Sequence, residues 1–148
     1  MVDVDRTAWT GLVVAVVALA AATAFGLWRR RRDGRLRATP EAPVAGMLTT
    51  LGVEPGAPAT LLQFSSAFCA PCRAVRRLCA DVAKTIDGVH HVEVDAESHL
   101  DAVRELGIWR TPTVLIVDRS GRVVQRASGV PAKGQVIAAV APLLEPAV

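Results

Sequence analysis

Cys69 and Cys72 lie three positions apart in Phe68-Cys69-Ala70-Pro71-Cys72-Arg73. Residues three apart share one face of a helix, so two thiols at this spacing can meet as a disulfide. Pro71 suits the first turn of such a helix, because its missing N–H would have no intrahelical partner there. At a helix tip, Cys69 meets unpaired N–H groups and the positive end of the macrodipole, which favour a thiolate. That lowers its pKa and makes it the attacking sulfur. Cys72, one turn in, is shielded and placed to resolve the mixed disulfide that Cys69 forms. The oxidised pair must then be reduced by a donor. Such a dithiol is its own redox centre, so neither an organic cofactor nor a metal is called for.

The elements needed to hold this pair are legible around it. Thr60 to Ser65 is an apolar run that reads as a buried strand leading into the cysteines. Cys69 opens a helix on which Val75, Leu78, Val82 and Ile86 form an apolar stripe, and Asp87-Gly88 closes it. Val89 to Asp95 reads as a strand, Ser98 to Leu106 as a helix capped by Ser98, and Thr113 to Val117 as another strand. Asp118-Arg119-Ser120-Gly121 is a hairpin-type turn into a strand over Arg122 to Ala127, and Pro131 to Leu144 is a final amphipathic helix. Val44 to Val53 reads as a short helix or strand before the turn Glu54-Pro55-Gly56-Ala57-Pro58.

The chain has 148 residues, 51% of them hydrophobic, and a mean hydropathy of +0.35. Much of that apolarity is concentrated in residues 8–28, which no charge interrupts. About 20 apolar residues cross a bilayer as a helix, and Trp9 and Trp28 bracket the run where rings favour the interface. A cleavable signal peptide is the competing reading, and the acidic start at Asp3 and Asp5 weakens it. Residues 29–37 hold six arginines against Asp33, a local net charge of +5 within a chain total of +3. Arginines directly after the span place the N-terminus outside and the rest in the cytoplasm. The remainder from 38 onward is close to neutral and carries no electrostatic footprint for nucleic acid. The expected organisation is a short tail at 1–7, a transmembrane helix at 8–28, an arginine-rich flank and irregular tether at 29–43, and one α/β domain at 44–148.

The element order and two loops carry a family resemblance. Ser66-Ala67-Phe68-Cys69-Ala70-Pro71-Cys72 resembles the active-site loop of the thioredoxin family. Arg110-Thr111-Pro112-Thr113, leading straight into a strand, resembles that family's cis-proline loop, while Val94-Asp95 and Gly129 fall at further family positions. The resemblance covers residues 44–148 and implies a thioredoxin fold, with a mixed sheet flanked by helices. It implies thiol–disulfide exchange on protein substrates by Cys69 and Cys72. A cis Pro112 would turn Thr111 toward the dithiol to pair with an extended substrate segment. Trp109, just before this loop, is expected beside the active site.

The chain departs from the family pattern at four places. Phe68 stands where the family has tryptophan, and Ala70 where it has glycine. Gln63 stands at the position of the buried aspartate that serves the resolving thiol, and Gln cannot titrate. His91 aligns with the lysine near that aspartate. Proton transfer is therefore expected to run through water or through His91, with Gln63 alongside.

These residues imply a membrane-anchored, monomeric thiol–disulfide oxidoreductase. Its partners would be a protein disulfide and an upstream thiol reductant. A cytoplasmic domain would act as a reductant, because that compartment keeps thiols reduced. Two readings compete: a non-catalytic binding or metal-handling domain, and the same chemistry on the extracytoplasmic side, as in cytochrome maturation. For metal, Cys69, Cys72, Cys79 and His90 or His91 could supply four ligands, but Cys79 lies two turns down the helix from Cys72. Cys79 alone reads as a partly buried packing residue. Arg73, Arg76 and Arg77 read as a solvated helix face, and Phe64 and Phe68 as core and rim.

Overall fold

The computed structural model describes residues 3–39 and 45–145. The first two residues of the expected tail and residues 40–43 of the expected tether lie outside these. The chain divides into two compact units, Met1–Arg32 and Asp33–Val148.

The first unit is one helix, α1 (Asp3–Arg32). Its residues from Ala8 onward are all exposed. Residues 8–28 alone extend about 30 Å at 1.5 Å per residue, the thickness of a hydrocarbon core. Ala8–Arg32 is thus a candidate membrane span by length and composition. The helix runs through all four arginines of its last turn, where cations complement the negative end of the dipole. The Arg32 guanidinium lies 4.1 Å from the centre of the Trp28 ring, and Phe25 stands 5.9 Å from the same ring.

The second unit is built on β2 (Ala59–Ser65), whose every residue is buried. It pairs in parallel with β3 (Val89–Asp95) and antiparallel with β4 (Thr113–Asp118). A strand flanked on both sides must be covered on both faces, which explains why its apolar residues, Leu61, Leu62 and Phe64, point to both faces and why even its polar residues are buried. β5 (Val123–Ser128) continues the sheet beside β4, and β1 (Arg37–Ala38) closes it at the edge, giving the order β1-β5-β4-β2-β3. Alternation along β2 divides the core. Ala59 and Leu61 face Val75, Cys79 and Val82 of α3 (Ala70–Thr85) and Val136 and Val140 of α5 (Lys133–Leu144). Leu62 and Phe64 face Leu48 of α2 (Ala45–Thr50) and Ala102 of α4 (Leu100–Glu105). Each fully buried Val, Leu or Phe among them contributes about 1.5–3 kcal/mol.

This is the thioredoxin fold expected from the sequence, with differences in detail. The stretch at 33–43 is not wholly irregular. Arg37 and Ala38 pair with Arg126 and Gln125, because the open edge of β5 offers backbone groups to any adjacent extended segment. The fourth helix starts at Leu100, and Ser98 does not cap it. The Ser98 hydroxyl instead donates to Asp95 Oδ2 at 2.5 Å, and the same carboxylate accepts from the Glu97 N–H, so the residues after β3 form a turn. The hairpin at Asp118 forms as expected. Its carboxylate accepts from the backbone N–H groups of Ser120 and Arg122, and Gly121 adopts φ +77°.

Candidate active site

β2 ends at Ser65, and the chain turns through Ser66, Ala67 and Phe68 into α3. Cys69 is the N-cap of that helix, with extended φ and ψ, and Pro71 sits in the first turn. Cys69 and Cys72 are joined as a disulfide, with their Cα atoms 5.3 Å apart. The Cys72 N–H points at Cys69 Sγ at 3.1 Å. The same N–H also reaches the Cys69 carbonyl at 3.2 Å; once the pair is reduced, a helix-tip donor so placed favours negative charge on the first sulfur. Burial separates the two sulfurs' roles. Cys69 is half-buried, whereas Cys72 is 2% exposed. Phe68, before the pair, projects fully into solvent.

The Thr111–Pro112 peptide is cis, and Pro112 is buried at the start of β4. The hydroxyls of Ser66 and Thr111 lie 3.0 Å apart, so this loop is tied to the turn that carries the cysteines. Thr113 Oγ1 donates to the Arg110 carbonyl at 2.7 Å, and the Gly129 N–H donates to the Pro112 carbonyl at 2.8 Å. Arg110 itself donates to Asp33 at 2.5 Å and to the Ser128 carbonyl at 2.6 Å. Gly34 donates its N–H to the same Ser128 carbonyl. A Cβ at Gly34 would lie 2.0 Å from the Val130 carbonyl oxygen, and φ is +71°, so this approach requires glycine. Trp109 is 95% exposed and does not pack beside the site.

Gln63 is fully buried behind Cys72. Its amide donates to the Cys72 carbonyl at 3.0 Å and to Ser65 Oγ at 2.9 Å. A carbonyl only accepts, so this contact fixes which amide atom is nitrogen. Gln63 Oε1 then faces His91 Nε2 at 3.1 Å, and His91 must carry its proton on Nε2. Burial lowers the His91 pKa below its ordinary value; the Glu93 charge opposes that and Arg76 adds to it. His90, one residue earlier, is exposed and lies 3.5 Å from Glu54.

The network continues through Ser65 and Glu93, which the sequence did not single out, to Arg76, which it gave as solvated. Ser65 Oγ donates to Glu93 Oε1 at 2.6 Å. Arg76 holds both carboxylate oxygens of Glu93, at 2.8 and 2.5 Å. Burial works to raise the Glu93 pKa, but the bonds from Arg76 and Ser65 outweigh it and leave the carboxyl below its ordinary range. The signal for Glu93 lay in strand register: it stands opposite Gln63 in the parallel pair, on the face that α3 covers. Arg76 is four residues after Cys72, one helical turn on, and is paired rather than simply solvated. Glu93, Arg76, Arg73, Asp95, Cys69 and Cys72 all border one cavity of about 740 Å³ beside the disulfide.

Cys79 is fully buried in the apolar cluster beneath the sheet, not partly buried as expected. Burial, with a smaller contribution from the Glu93 charge, pushes its thiol up to about 12. Among the described residues, no three of His, Cys, Asp and Glu assemble as candidate metal ligands.

Comparison with known proteins accords with this geometry. The family model for thioredoxin matches residues 53–141, more than half of the chain, and the chain belongs to the thioredoxin family. No curated protein sequence matches it. Among solved structures, a mutant thioredoxin from Halobacterium salinarum superposes with a TM-score of 0.59 at 14% identity, covering 72% of this chain and 91% of that one. Chloroplastic thioredoxin z gives 0.56 at 21% identity, covering 72% and 95%. The thioredoxin of Malassezia sympodialis gives 0.54 at 18% identity, covering 73% and 93%. A thioredoxin domain with its dithiol closed at the helix tip is a thiol–disulfide redox domain.

Proposed function

We propose that this protein is a membrane-anchored thiol–disulfide oxidoreductase that reduces protein disulfides on the cytoplasmic side. The observation that carries this reading is the asymmetry of the pair. Cys69 is reachable and holds a helix-tip N–H, whereas Cys72 is covered directly behind it. The Cys69 thiolate attacks a substrate disulfide, forming the Cys69–substrate bond and releasing one substrate thiolate. Cys72 then attacks Cys69 Sγ, releasing the second substrate thiolate and closing the Cys69–Cys72 bond. Two electrons pass to the substrate, and an upstream dithiol returns them.

In this reading Thr111 and Pro112 present backbone to an extended substrate segment, and exposed Phe68 and Trp109 offer it apolar contact. Ala70 and Pro71 complete the loop. Gln63 and His91 serve the proton step at second hand, by fixing the turn that holds Cys72. The dithiol is the redox centre, and the domain works as a monomer. Residues 8–28 anchor it, with Arg29 to Arg32 retained on the cytoplasmic side.

Reduction of insulin disulfides by the full-length protein in detergent tests the activity. Turnover in wild type and its loss in Cys69→Ser support the proposal; equal rates, or none in wild type, contradict it. Sidedness is tested separately with an impermeant thiol reagent on intact cells. Protection of Cys69 is expected, and ready labelling would place the domain outside.

A further inference from the structure

Resolution of a mixed disulfide poses a proton problem at Cys72. Its thiol must lose a proton as it attacks, yet the residue is 2% exposed. The buried side chain behind it, Gln63, cannot accept one. Both amide hydrogens are donated, to Ser65 and to the Cys72 carbonyl, and its oxygen already accepts from His91. An amide so engaged holds geometry and carries no charge.

A carboxylate does stand nearby, on the neighbouring strand. Glu93 is opposite Gln63 in the β2–β3 register. It borders the same cavity as Cys69 and Cys72. Its orientation is fixed from two elements, by the Ser65 hydroxyl of β2 and the Arg76 guanidinium of α3.

We propose that Glu93 is the proton acceptor for Cys72 during resolution, reached through the solvent of the cavity. This rests on the dithiol reading above and names the base within it. The Cys72 S–H bond breaks as the Cys72–Cys69 bond forms. The substrate leaves as a thiolate, and the proton passes to Glu93 and then to solvent or to that thiolate. Ser65 and Arg76 are positioning residues that keep the carboxylate ionised and aimed. The other charged or titratable groups around it are His91 beside it on β3, Cys79 on the buried face of α3, and Arg73 and Asp95 on the cavity wall.

The test uses the full-length protein in detergent. Reduced protein is mixed with an aromatic disulfide, and formation and resolution of the Cys69 adduct are followed by stopped-flow absorbance from pH 5 to 9. Wild type is expected to resolve at a rate nearly independent of pH around neutrality. Glu93→Gln is expected to slow resolution on the order of 100-fold at pH 7, with a rate that climbs steadily with pH as solvent base takes over. Glu93→Asp is expected to recover much of the rate and the flat profile. A Glu93→Gln profile superimposable on wild type would overturn the proposal. So would a Glu93→Asp protein as slow as Glu93→Gln, or an equal loss in the adduct-forming step. A wild type that forms no Cys69 adduct would instead overturn the dithiol function, and this inference with it.

Discussion

The side-chain amide of Gln63 donates a hydrogen bond to the carbonyl oxygen of Cys72 at 3.0 Å. A strand residue in the core thus grips the first turn of the active-site helix from below. The same amide ties down Ser65 and His91. Replacing Gln63 with Leu removes its bonds to the Cys72 carbonyl, to Ser65 and to His91. Each such hydrogen bond is worth about 0.5–1.5 kcal/mol net. A lower urea midpoint with an unchanged slope is expected, measured by equilibrium unfolding. An unchanged midpoint would show that the amide does no structural work.

The loop carrying Pro112 is held from the far side by Arg110, which bonds Asp33 and the Ser128 carbonyl. The Arg110–Asp33 pair is well exposed, so Asp33→Asn should change stability by less than about 1 kcal/mol. Its expected effect is on substrate binding, as a several-fold higher KM for a protein disulfide with kcat little changed. Steady-state insulin reduction measures this. Gly34→Ala should be worse for stability, because the new Cβ meets the Val130 carbonyl.

Cys79 is expected to be silent in the native protein. It is fully buried and its thiol is pushed up to about 12, so almost no thiolate exists at neutral pH. Iodoacetamide at pH 7.5 should alkylate the reduced protein at Cys69 and leave Cys79 untouched until denaturant is added. Mass spectrometry of the alkylated peptides reports this directly.

Acid should destabilise the domain in two stages. Burial depresses the His91 pKa in the folded state, below its ordinary 6.5. Between those values the unfolded chain binds a proton that the folded chain refuses, so stability falls as pH drops below about 6.5. Glu93 is also depressed, below its ordinary 4.5. Its contribution is fully present above that value and is lost as pH falls through the folded one. Denaturant midpoints across pH 4 to 8 should therefore decline below 6.5 and again below 4.5. His91→Asn should remove the first decline alone.

Much of this was legible in the sequence, for definable reasons. Cys69, Pro71 and Cys72 report their own geometry, because proline and paired cysteines tolerate few local settings. Leu61, Leu62 and Phe64, apolar at both odd and even positions, announce a strand covered on both faces. Pro112 betrays its loop through the Thr-Pro-Thr pattern that leads into β4. What stayed hidden depends on pairings between distant segments. Glu93 reads as an ordinary polar strand residue until the β2–β3 register sets it opposite Gln63. Asp33 and Arg110 are far apart in sequence, and only the β1–β5 edge brings them together. Ser98 reads as a cap until the turn after β3 brings its hydroxyl onto the Asp95 carboxylate.

The division of labour between the two cysteines is open to one direct measurement. Full-length Cys72→Ser protein is incubated with a disulfide substrate, quenched with acid, and mapped by mass spectrometry. A stable adduct joined through Cys69, released by dithiothreitol and absent from Cys69→Ser, is the expected result. No adduct, or one carried by Cys79, would contradict the assignment of Cys69 as attacking sulfur and of the chain as a thiol–disulfide oxidoreductase.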